Sequence, residues 1–426
     1  MTGPAADVVV VHCAELATLS RGAVPRIGPA LGEPGVIPDG AVAIAGDRII
    51  AVGPTDTLTR QVQMTPATTV LDAGGRLVTP GLVDPHTHLV FAGNRASEFA
   101  LRQRGEGYGP ILAAGGGILS TVRATRAASE DDLVALGMRR LDRMLAHGTT
   151  TAEVKSGYGL SLDDELKILR AVSRLDDLHP LDLVPTFLGA HAVPAERRGD
   201  PDAYVRDVCE AMLPAVARDR LAVFCDVFCE EGAFSLAQTR RILGVAAFLG
   251  LGLKIHADQL SASGGARLAA ELNAISADHL ERTPEDDLRA MAEAGVMGGL
   301  LPGATFFLMQ PRYADARRMV ELGIPVALAT DFNPGSSPTL SMQMAMALAC
   351  VEMKLTAFEA LTAATINAAH AIRRDNEVGT LEPGKKADLV IWGLGSVAEL
   401  PLQFGVNMVD CVIKSGRIVD PGGAKQ

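Results

Sequence analysis

Eight runs of apolar residues succeed one another through the middle of the chain, separated by amphipathic stretches. The runs are continuous rather than alternating, as expected for strands of a parallel sheet that is covered on both faces. Helix-start signals lie between them, since Ser129, Ser161 and Ser235 each precede an acid or amide three residues later. The pattern predicts strands over residues 82–90, 149–155, 182–190, 222–229, 252–257, 274–279, 295–301 and 325–331.

The number and spacing of these strand–helix units predict an α/β fold. Eight units over about 250–290 residues match a (β/α)8 barrel of the TIM type. A doubly wound open sheet is the structural alternative for the same pattern. In a barrel, catalytic residues gather at the carboxyl ends of the strands, so the barrel prediction also says where chemistry should lie.

The two chain ends carry short β-branched runs instead. These lie at residues 8–11, 41–45, 48–52 and 76–79 near the start, and at 387–392 and 409–419 near the finish. Such runs suit half-buried strands, and Gly46-Asp47 and Ser415-Gly416 supply turn signals. Residues 22–40 are rich in glycine and proline and are predicted to form a loop. We therefore predict a small β-sandwich domain from residues 1–78 and 377–426, with the barrel at 79–376.

Composition narrows the class of partner. The chain of 426 residues is 48% hydrophobic and has a formal charge of -11, which disfavours nucleic acid and anionic membranes because both attract clustered Lys and Arg. Its six cysteines are scattered, and no second Cys/His pair accompanies Cys225 and Cys229 at zinc-finger spacing. There is no basic signal-peptide start and no apolar run of the ~18 residues that a membrane helix needs. We expect a soluble, cytoplasmic protein with reduced thiols.

Candidate metal ligands gather at the predicted strand ends. His86 and His88 end the first strand, His256 the fifth, His279 the sixth and Asp331 the eighth, while His191 follows the third. Residues i and i+2 of a strand share a face, so the first two imidazoles are expected to converge. Three neutral imidazoles and one carboxylate suit Zn²⁺ or Fe²⁺, and such an ion can activate water at neutral pH.

The other histidines are interpreted as structural. His147 is placed in the last turn of a helix, where a cation complements the helix dipole. His179 precedes a proline and His370 lies on a late helix, and both are expected to face solvent. His12 belongs to the predicted β domain. None of the four is predicted to enter the site.

Several motifs resemble a known family. Pro80-Gly81-Leu82-Val83-Asp84-Pro85-His86-Thr87-His88 is similar to the first-strand signature of the amidohydrolase superfamily of metal-dependent hydrolases, and residues 379–389 resemble its return into the β domain. Within that superfamily, residues 153–159, 187–194, 276–281, 301–307 and 329–337 are similar to the imidazolonepropionase family. The resemblance implies hydrolysis of the ring amide C–N bond of 4-imidazolone-5-propanoate to N-formimidoyl-L-glutamate, in histidine degradation.

The same resemblance implies roles for individual residues. One divalent metal per chain, Zn²⁺ or Fe²⁺, would be held by His86, His88, His256 and Asp331. Arg95, Tyr158 and His191 would hold the substrate, with Gln259, His279, Asn333, Gly335 and Ser336 around the reacting ring. Arg95 offers paired donors that match the substrate carboxylate. We expect His279 and Asp331 to move protons, because the Gln259 amide can only donate and accept hydrogen bonds.

Two other functions remain open. An aminohydrolase of a heterocyclic amine such as guanine or cytosine is the nearest, although Gln259 stands where many such deaminases carry an acid. A catalytically silent barrel scaffold belongs to another class, although it would have no need for a complete ligand set. A two-metal site would want a modified lysine on the fourth strand; residues 222–229 contain none, and Lys155 on the second strand is misplaced. A homodimer is expected by analogy with the family.

Overall fold

The strands follow the predicted order along the chain. The structure is a computed structural model that describes residues 4–20, 24–104 and 116–419. Its strands in that part of the chain are β1 Val8–Ala17, β2 Val36–Ala45, β3 Arg48–Pro54, β4 Thr69–Asp72, β5 Val78–Pro80, β6 Leu82–Asp84, β7 Thr149–Lys155, β8 Asp182–Ala190, β9 Phe224–Cys229, β10 Gly252–Ala257, β11 Ser276–His279, β12 Met297–Leu300, β13 Val326–Leu328, β14 Leu389–Trp392, β15 Val409–Lys414 and β16 Arg417–Val419.

The helices lie mostly between the strands of the central region. They are α1 Thr55–Gln61, α2 Ala96–Gln103, α3 Ile118–Ala127, α4 Glu130–Ala146, α5 Leu162–Leu178, α6 Pro201–Asp207, α7 Leu213–Arg218, α8 Leu236–Phe248, α9 Gly265–Glu271, α10 Glu285–Ala294, α11 Pro302–Phe307, α12 Ala316–Glu321, α13 Met342–Val351, α14 Ala357–Ala363 and α15 Ile366–Ala371. Ser129 and Ser235 form reciprocal capping boxes at the starts of α4 and α8, as predicted. Ser161 caps α5 by accepting from the Asp164 N–H.

Strands β6 to β13 form one parallel sheet that nearly closes on itself. Each strand pairs with the next along the chain, in the order β13-β12-β11-β10-β9-β8-β7-β6. The gap between β13 and β6 is bridged just beyond the strand ends, where the His88 N–H donates to the Phe332 carbonyl at 2.9 Å and the Asp331 N–H donates to the His86 carbonyl at 3.1 Å. The predicted TIM-like barrel is confirmed, and the open-sheet alternative is wrong.

The first and last barrel strands are shorter than predicted. Strand β6 stops at Asp84 because Pro85 has no N–H to continue the ladder, and the Asp84 carboxylate instead accepts from the Thr330 N–H at 3.1 Å and hydroxyl at 2.5 Å. His86 and His88 therefore follow the strand rather than end it. Their predicted convergence comes from the bridges to the segment after β13, not from a strand face.

Both chain ends contribute to a second sheet. Its order is β16-β15-β14-β5-β1-β2-β3, with β4 paired to β1, so the first and last described segments of the chain meet in one layer. This agrees with the predicted β domain built from both termini. Residues 22 and 23 of the loop predicted at 22–40 lie outside the described residues. The rest of that prediction is wrong in part, because Val36 already pairs with Ala17 in the long hairpin of β1 and β2.

Charged side chains connect the sheet to the barrel. The Asp182 carboxylate at the start of β8 accepts from Lys386 at 2.8 Å and from Lys414 at 2.7 Å, and Lys414 also donates to Asp388 at 2.8 Å. All six cysteines are free. In the ranges that the structure describes, no helix combines the length and the apolar character needed to cross a bilayer.

Candidate active site

Four of the predicted ligands converge at the carboxyl-terminal mouth of the barrel. The Nε2 atom of His88 lies 3.4 Å from Asp331 Oδ1 and 3.5 Å from His256 Nε2, and His86 Nε2 lies 3.6 Å from Asp331 Oδ1. Two ligand atoms about 2.0–2.1 Å from one tetrahedral ion lie about 3.3–3.4 Å apart, close to these spacings. His86 Nε2 is buried and finds no hydrogen-bond partner within the described part of the chain. The donor set therefore fits one divalent ion.

Two aspartates that sequence reasoning missed orient this set. The Nδ1 atom of His86 lies 2.7 Å from Asp278 Oδ2, and Nδ1 of His256 lies 3.0 Å from Asp226 Oδ2. A carboxylate on Nδ1 fixes the tautomer, so that Nε2 of each ring is left to face the ion. Asp278 stands directly before His279 and Asp226 lies on β9, so neither carries a spacing that marks it in the sequence.

Burial and neighbouring charges favour neutral imidazoles at His86 and His88 and an ionised carboxylate at Asp331. Burial lowers the pKa of His86 well below its usual value, and nearby Lys155 and His256 lower it further. Burial also lowers the pKa of His88, against the opposing effect of Asp331. For Asp331, burial by itself raises the pKa, but the surrounding histidines outweigh it and the net shift is downward. These are the protonation states that metal ligation requires.

His279 lies beside the four ligands, and its surroundings raise its pKa. One nitrogen each of His86, His256 and His279 fall within 4.8 Å of one another. Burial by itself lowers the pKa of His279, but the Glu281 carboxylate, 3.7 Å from its Nδ1, and nearby aspartates raise it overall. Glu281 is fixed in turn by a 2.9 Å hydrogen bond from the Thr305 hydroxyl. Glu281 is a second kind of site residue that the sequence did not reveal.

Backbone strain coincides with this chemistry. His279 has φ +84° and Asp331 has φ +52°, in the left-handed region that residues other than glycine rarely occupy. His279 ends the short strand β11, and Asp331 lies three residues after the end of β13. Strain of this kind persists only where the surroundings hold it, and it clusters at functional sites.

The loop after β13 places Ser336 against the metal position. The Asn333 amide donates to the Asp331 carbonyl and the Ser336 hydroxyl, both at 2.7 Å, and its oxygen accepts from the Gly335 and Ser336 N–H groups at 2.8 Å. The Ser336 hydroxyl lies 3.4 Å from Asp331 Oδ2. With both amide hydrogens engaged, Asn333 shapes the loop, and Ser336 is the member that meets Asp331.

Arg95 packs across Gly335 on the same side of the mouth. Its Nε donates to the buried Glu98 carboxylate at 2.8 Å, which leaves the outer edge of the guanidinium for a ligand. Glu98 also accepts from the Gly117 N–H at 3.0 Å. A Cβ added at Gly335 would stand 2.0 Å from Arg95 Nη1, so only glycine permits this approach. Two of the predicted site residues, Arg95 and Gly335, therefore lie against each other.

Tyr158 and His191 lie beside His88. The His191 ring stacks on His88 with centroids 4.9 Å apart, and its Nδ1 lies 3.1 Å from the Gly157 carbonyl oxygen. Burial lowers the pKa of His191 well below its usual value, and neighbouring histidines add to this. Tyr158 is buried 5.4 Å from the His191 ring, centroid to centroid. The Tyr158 loop is anchored by Glu165, which accepts from the Gly157 N–H at 3.0 Å.

Gln259 lies next to the segment that follows His279. It is half-buried after β10 and lines a small cavity together with Glu281 and Thr305. Its neighbour Asp258 has φ +53° and accepts from the N–H groups at the start of α9, which turns the chain there. Gln259 therefore lies on the His279 side of the mouth.

The remaining histidines differ in detail from their predicted settings. His179 is buried rather than solvent-facing, with Nε2 3.5 Å from Asp142 Oδ1. His370 is also largely covered, 3.4 Å from Asp375 Oδ2. His147 caps α4, but burial lowers its pKa, so a neutral ring rather than a cation occupies that end. His147 and His179 each end a helix and His370 lies within one, and local polarity in the sequence does not reveal that all three are covered.

Comparison with known proteins agrees with the geometry. The chain matches the "Amidohydrolase family" over residues 77–419 and an "Imidazolonepropionase-like composite domain, bacteria" over residues 40–61. It is 54% identical to the imidazolonepropionase of Symbiobacterium thermophilum, over 99% of each chain. It is 50% identical to that of Alkaliphilus metalliredigens, over 97% of this chain and 98% of that one.

Solved structures share the fold at lower identity. An adenosine deaminase from Xanthomonas campestris with bound zinc superposes with a TM-score of 0.71 and 20% identity, covering 98% of this chain and 93% of that one. A molinate hydrolase gives a TM-score of 0.67 and 19% identity, covering 99% and 96%. At these identities the likeness establishes architecture alone.

Proposed function

The chain belongs to the amidohydrolase family and, within it, to the imidazolonepropionases, and from this premise we propose that it opens the ring amide of 4-imidazolone-5-propanoate to give N-formimidoyl-L-glutamate. Identity of about half over nearly the whole of each curated relative supports an enzyme of that hydrolase type. The observation that carries the proposal is the cluster of His86, His88, His256 and Asp331. Their ligand atoms lie close enough together to share one ion, and a nitrogen of His279 lies within 4.8 Å of His86 and His256.

The metal would be a single Zn²⁺ or Fe²⁺ held by His86, His88, His256 and Asp331. A divalent ion there would lower the pKa of a water molecule and polarise the ring carbonyl. Asp278 and Asp226 keep two of the imidazoles in the ligand tautomer. The family is metal-dependent, and mixed imidazole–carboxylate donors accept either ion, so the choice between zinc and iron is left to metal analysis.

The substrate carboxylate is assigned to Arg95. Its guanidinium is held through Nε by Glu98, so two outer N–H groups are oriented for a bidentate contact. Tyr158 and His191 provide an aromatic wall next to His88, which suits a planar five-membered ring. Gly335 and Ser336 lie on the side of the pocket nearest the metal ligands. Asn333 holds their loop by accepting hydrogen bonds from both N–H groups.

Proton transfer is assigned to His279 and Asp331. Ring opening requires one proton removed from the attacking water and one delivered to the leaving nitrogen. Asp331 is ionised and can accept at Oδ2, while His279, with its raised pKa, can donate. Gln259 has no proton to exchange at neutral pH and is assigned to orienting the ring. Deamination of a heterocyclic amine has no specific observation in its favour.

Product analysis tests this reaction directly. The metal-loaded protein is mixed with freshly prepared imidazolonepropionate, and loss of ring absorbance is followed beside mass spectrometry of the product. We expect N-formimidoyl-L-glutamate, with the rate abolished by chelation and restored by added metal. Ammonia release from guanine or cytosine at a high rate, with no ring opening, would replace this function by deamination.

The cellular location is proposed from the free thiols, and the oligomeric state from the family. The six free thiols support a cytoplasmic enzyme, because an oxidising compartment would favour pairing. A homodimer is proposed from the family, with a small carboxylate-bearing molecule as the substrate. Sedimentation of the purified protein would give the mass of one or two chains and decide this.

A further inference from the structure

The second barrel strand carries a buried cation that the proposed reaction does not use. Lys155, at the end of β7, is fully buried, and its Nζ lies 2.7 Å from Asp226 Oδ2, 3.0 Å from Glu153 Oε1 and 3.7 Å from Asp278 Oδ2. Barrel interiors are usually filled by branched apolar side chains. A buried ammonium among three carboxylates is therefore a departure that calls for a reason.

The two aspartates are the ones that contact the metal-binding histidines. Asp226 Oδ2 lies 3.0 Å from His256 Nδ1, and Asp278 Oδ2 lies 2.7 Å from His86 Nδ1. In both cases the oxygen nearest the imidazole is also the oxygen nearest Lys155. One ammonium group thus stands between the two carboxylate oxygens that fix two of the four ligands.

We propose that Lys155 is a positioning residue of the metal centre, which holds Asp226 and Asp278 so that His256 and His86 present Nε2 to the ion. The inference rests on the metal-binding set proposed above and not on the identity of the substrate. Glu153 completes the arrangement, because its carboxylate accepts from Lys155 at 3.0 Å and from Lys254 at 2.7 Å. These contacts keep the buried charges paired.

Position and charge make opposite predictions for the loss of Lys155. Coulomb's law alone says that removing a cation from the neighbourhood of a divalent cation should tighten metal binding. If Lys155 acts by position, two carboxylate oxygens that both faced its ammonium are left facing one another. They repel and turn, the imidazoles lose their fixed orientation, and metal binding weakens. The sign of the change therefore separates the two explanations.

The matched control is Lys414→Met. Lys414 is likewise buried and likewise bonded to two carboxylates, Asp182 at 2.7 Å and Asp388 at 2.8 Å, but it joins the barrel to the terminal sheet. Its loss leaves a comparable unpaired charge without touching a metal-binding histidine. Lys155→Met and Lys414→Met should thus both lower the melting temperature, while only the first should affect metal binding.

The test measures Zn²⁺ affinity of the metal-free proteins by competition with a chromophoric chelator, with melting curves and the visible spectrum of the Co²⁺ form alongside. We expect Lys155→Met to bind Zn²⁺ about 10–100-fold more weakly, the usual effect of removing an outer-shell partner, and to shift the Co²⁺ bands. Lys414→Met should bind Zn²⁺ like the wild type. Unchanged or tighter binding by Lys155→Met, or equal weakening by Lys414→Met, overturns the inference.

Two further outcomes are decisive. If Lys155→Met does not fold, Lys155→Gln, which keeps a short donor but no charge, is measured in the same way and judged by the same two results. If the wild-type protein itself binds no metal, both this inference and the proposed function fail. Wild-type metal binding with no effect at Lys155 removes this inference alone.

Discussion

At the scale of single residues, His279 is a histidine of the site whose pKa the surroundings raise rather than lower. Glu281 and the nearby aspartates raise its pKa despite burial, so the imidazole can supply a proton to the leaving nitrogen. We expect His279→Asn to keep the metal and the melting temperature while kcat falls by about 10²–10⁴, the usual contribution of general acid–base help.

His370→Asn is the control for that substitution, because it removes another largely covered histidine beside a carboxylate, outside the barrel mouth. It should lower stability without lowering kcat. A His279→Asn enzyme with near-normal kcat and a reduced melting temperature would instead make His279 a structural residue.

Arg95 separates charge from geometry in substrate binding. Arg95→Lys keeps the positive charge but loses both the paired outer donors and the Nε bond to Glu98. We expect KM to rise by the equivalent of about 1–3 kcal/mol, with a smaller change in kcat. Steady-state kinetics on the acid and on its neutral amide provides the check, since the amide should not sense the change. Equal effects on both substrates would remove Arg95 from carboxylate recognition.

The site residues that the sequence predicts are rare histidines, whereas those that it misses are common acids. The chain has only nine histidines, and imidazole chemistry marks them, so the sequence alone predicts His86, His88 and His256 as ligands. Asp226 and Asp278 were missed because acids are common along the chain and only tertiary contact shows that these two meet imidazoles.

At the scale of elements, the loop after β13 brings substrate and metal residues together. Gly335 lets the Arg95 guanidinium lie across the backbone, and a methyl group there would stand 2.0 Å from Nη1. We expect Gly335→Ala to push Arg95 aside and raise KM, while metal content stays at the wild-type value. Gly199→Ala is the control, because nothing lies within 4 Å of its added Cβ. An unchanged KM for Gly335→Ala would show that Arg95 has room to adjust.

Element boundaries were the weakest part of the sequence prediction. Continuous apolar runs located all eight barrel strands, yet β6 ends at Asp84 rather than at residue 90. The reason is that Pro85 has no N–H to continue the ladder, and that bonds from Thr330 to the Asp84 carboxylate across the barrel closure replace the ladder bonds. Near the start of the chain, glycine and proline residues obscure the beginning of β2 at Val36, because pairing with β1 overrides their local preference for a loop.

At the scale of the whole molecule, Asp182 links the barrel to the terminal sheet. Burial by itself raises its pKa, but Lys414 and Lys386 outweigh it, so the folded pKa lies below the unfolded value of about 3.9. Its contribution to stability is therefore present above about pH 4 and is lost as pH falls through the folded pKa. We expect Asp182→Asn to cost about 1–3 kcal/mol at neutral pH.

Melting curves across pH test this link. The gap between wild type and Asp182→Asn should be widest near neutrality and should shrink below about pH 4. Asp219→Asn, which breaks the exposed pair with Arg218, should leave the curve nearly unchanged at every pH. A gap that grows toward acid would contradict the assigned direction of the pKa shift.

The central claim is that one metal ion, held by His86, His88, His256 and Asp331, supports hydrolysis of imidazolonepropionate. The most direct measurement is to titrate the metal-free protein with Zn²⁺ or Fe²⁺ and record bound metal and ring-opening rate in each sample. The account predicts that the rate rises in proportion to bound metal and levels off at about one ion per chain. A rate that requires a second ion, or no ring opening at any metal content, would contradict it.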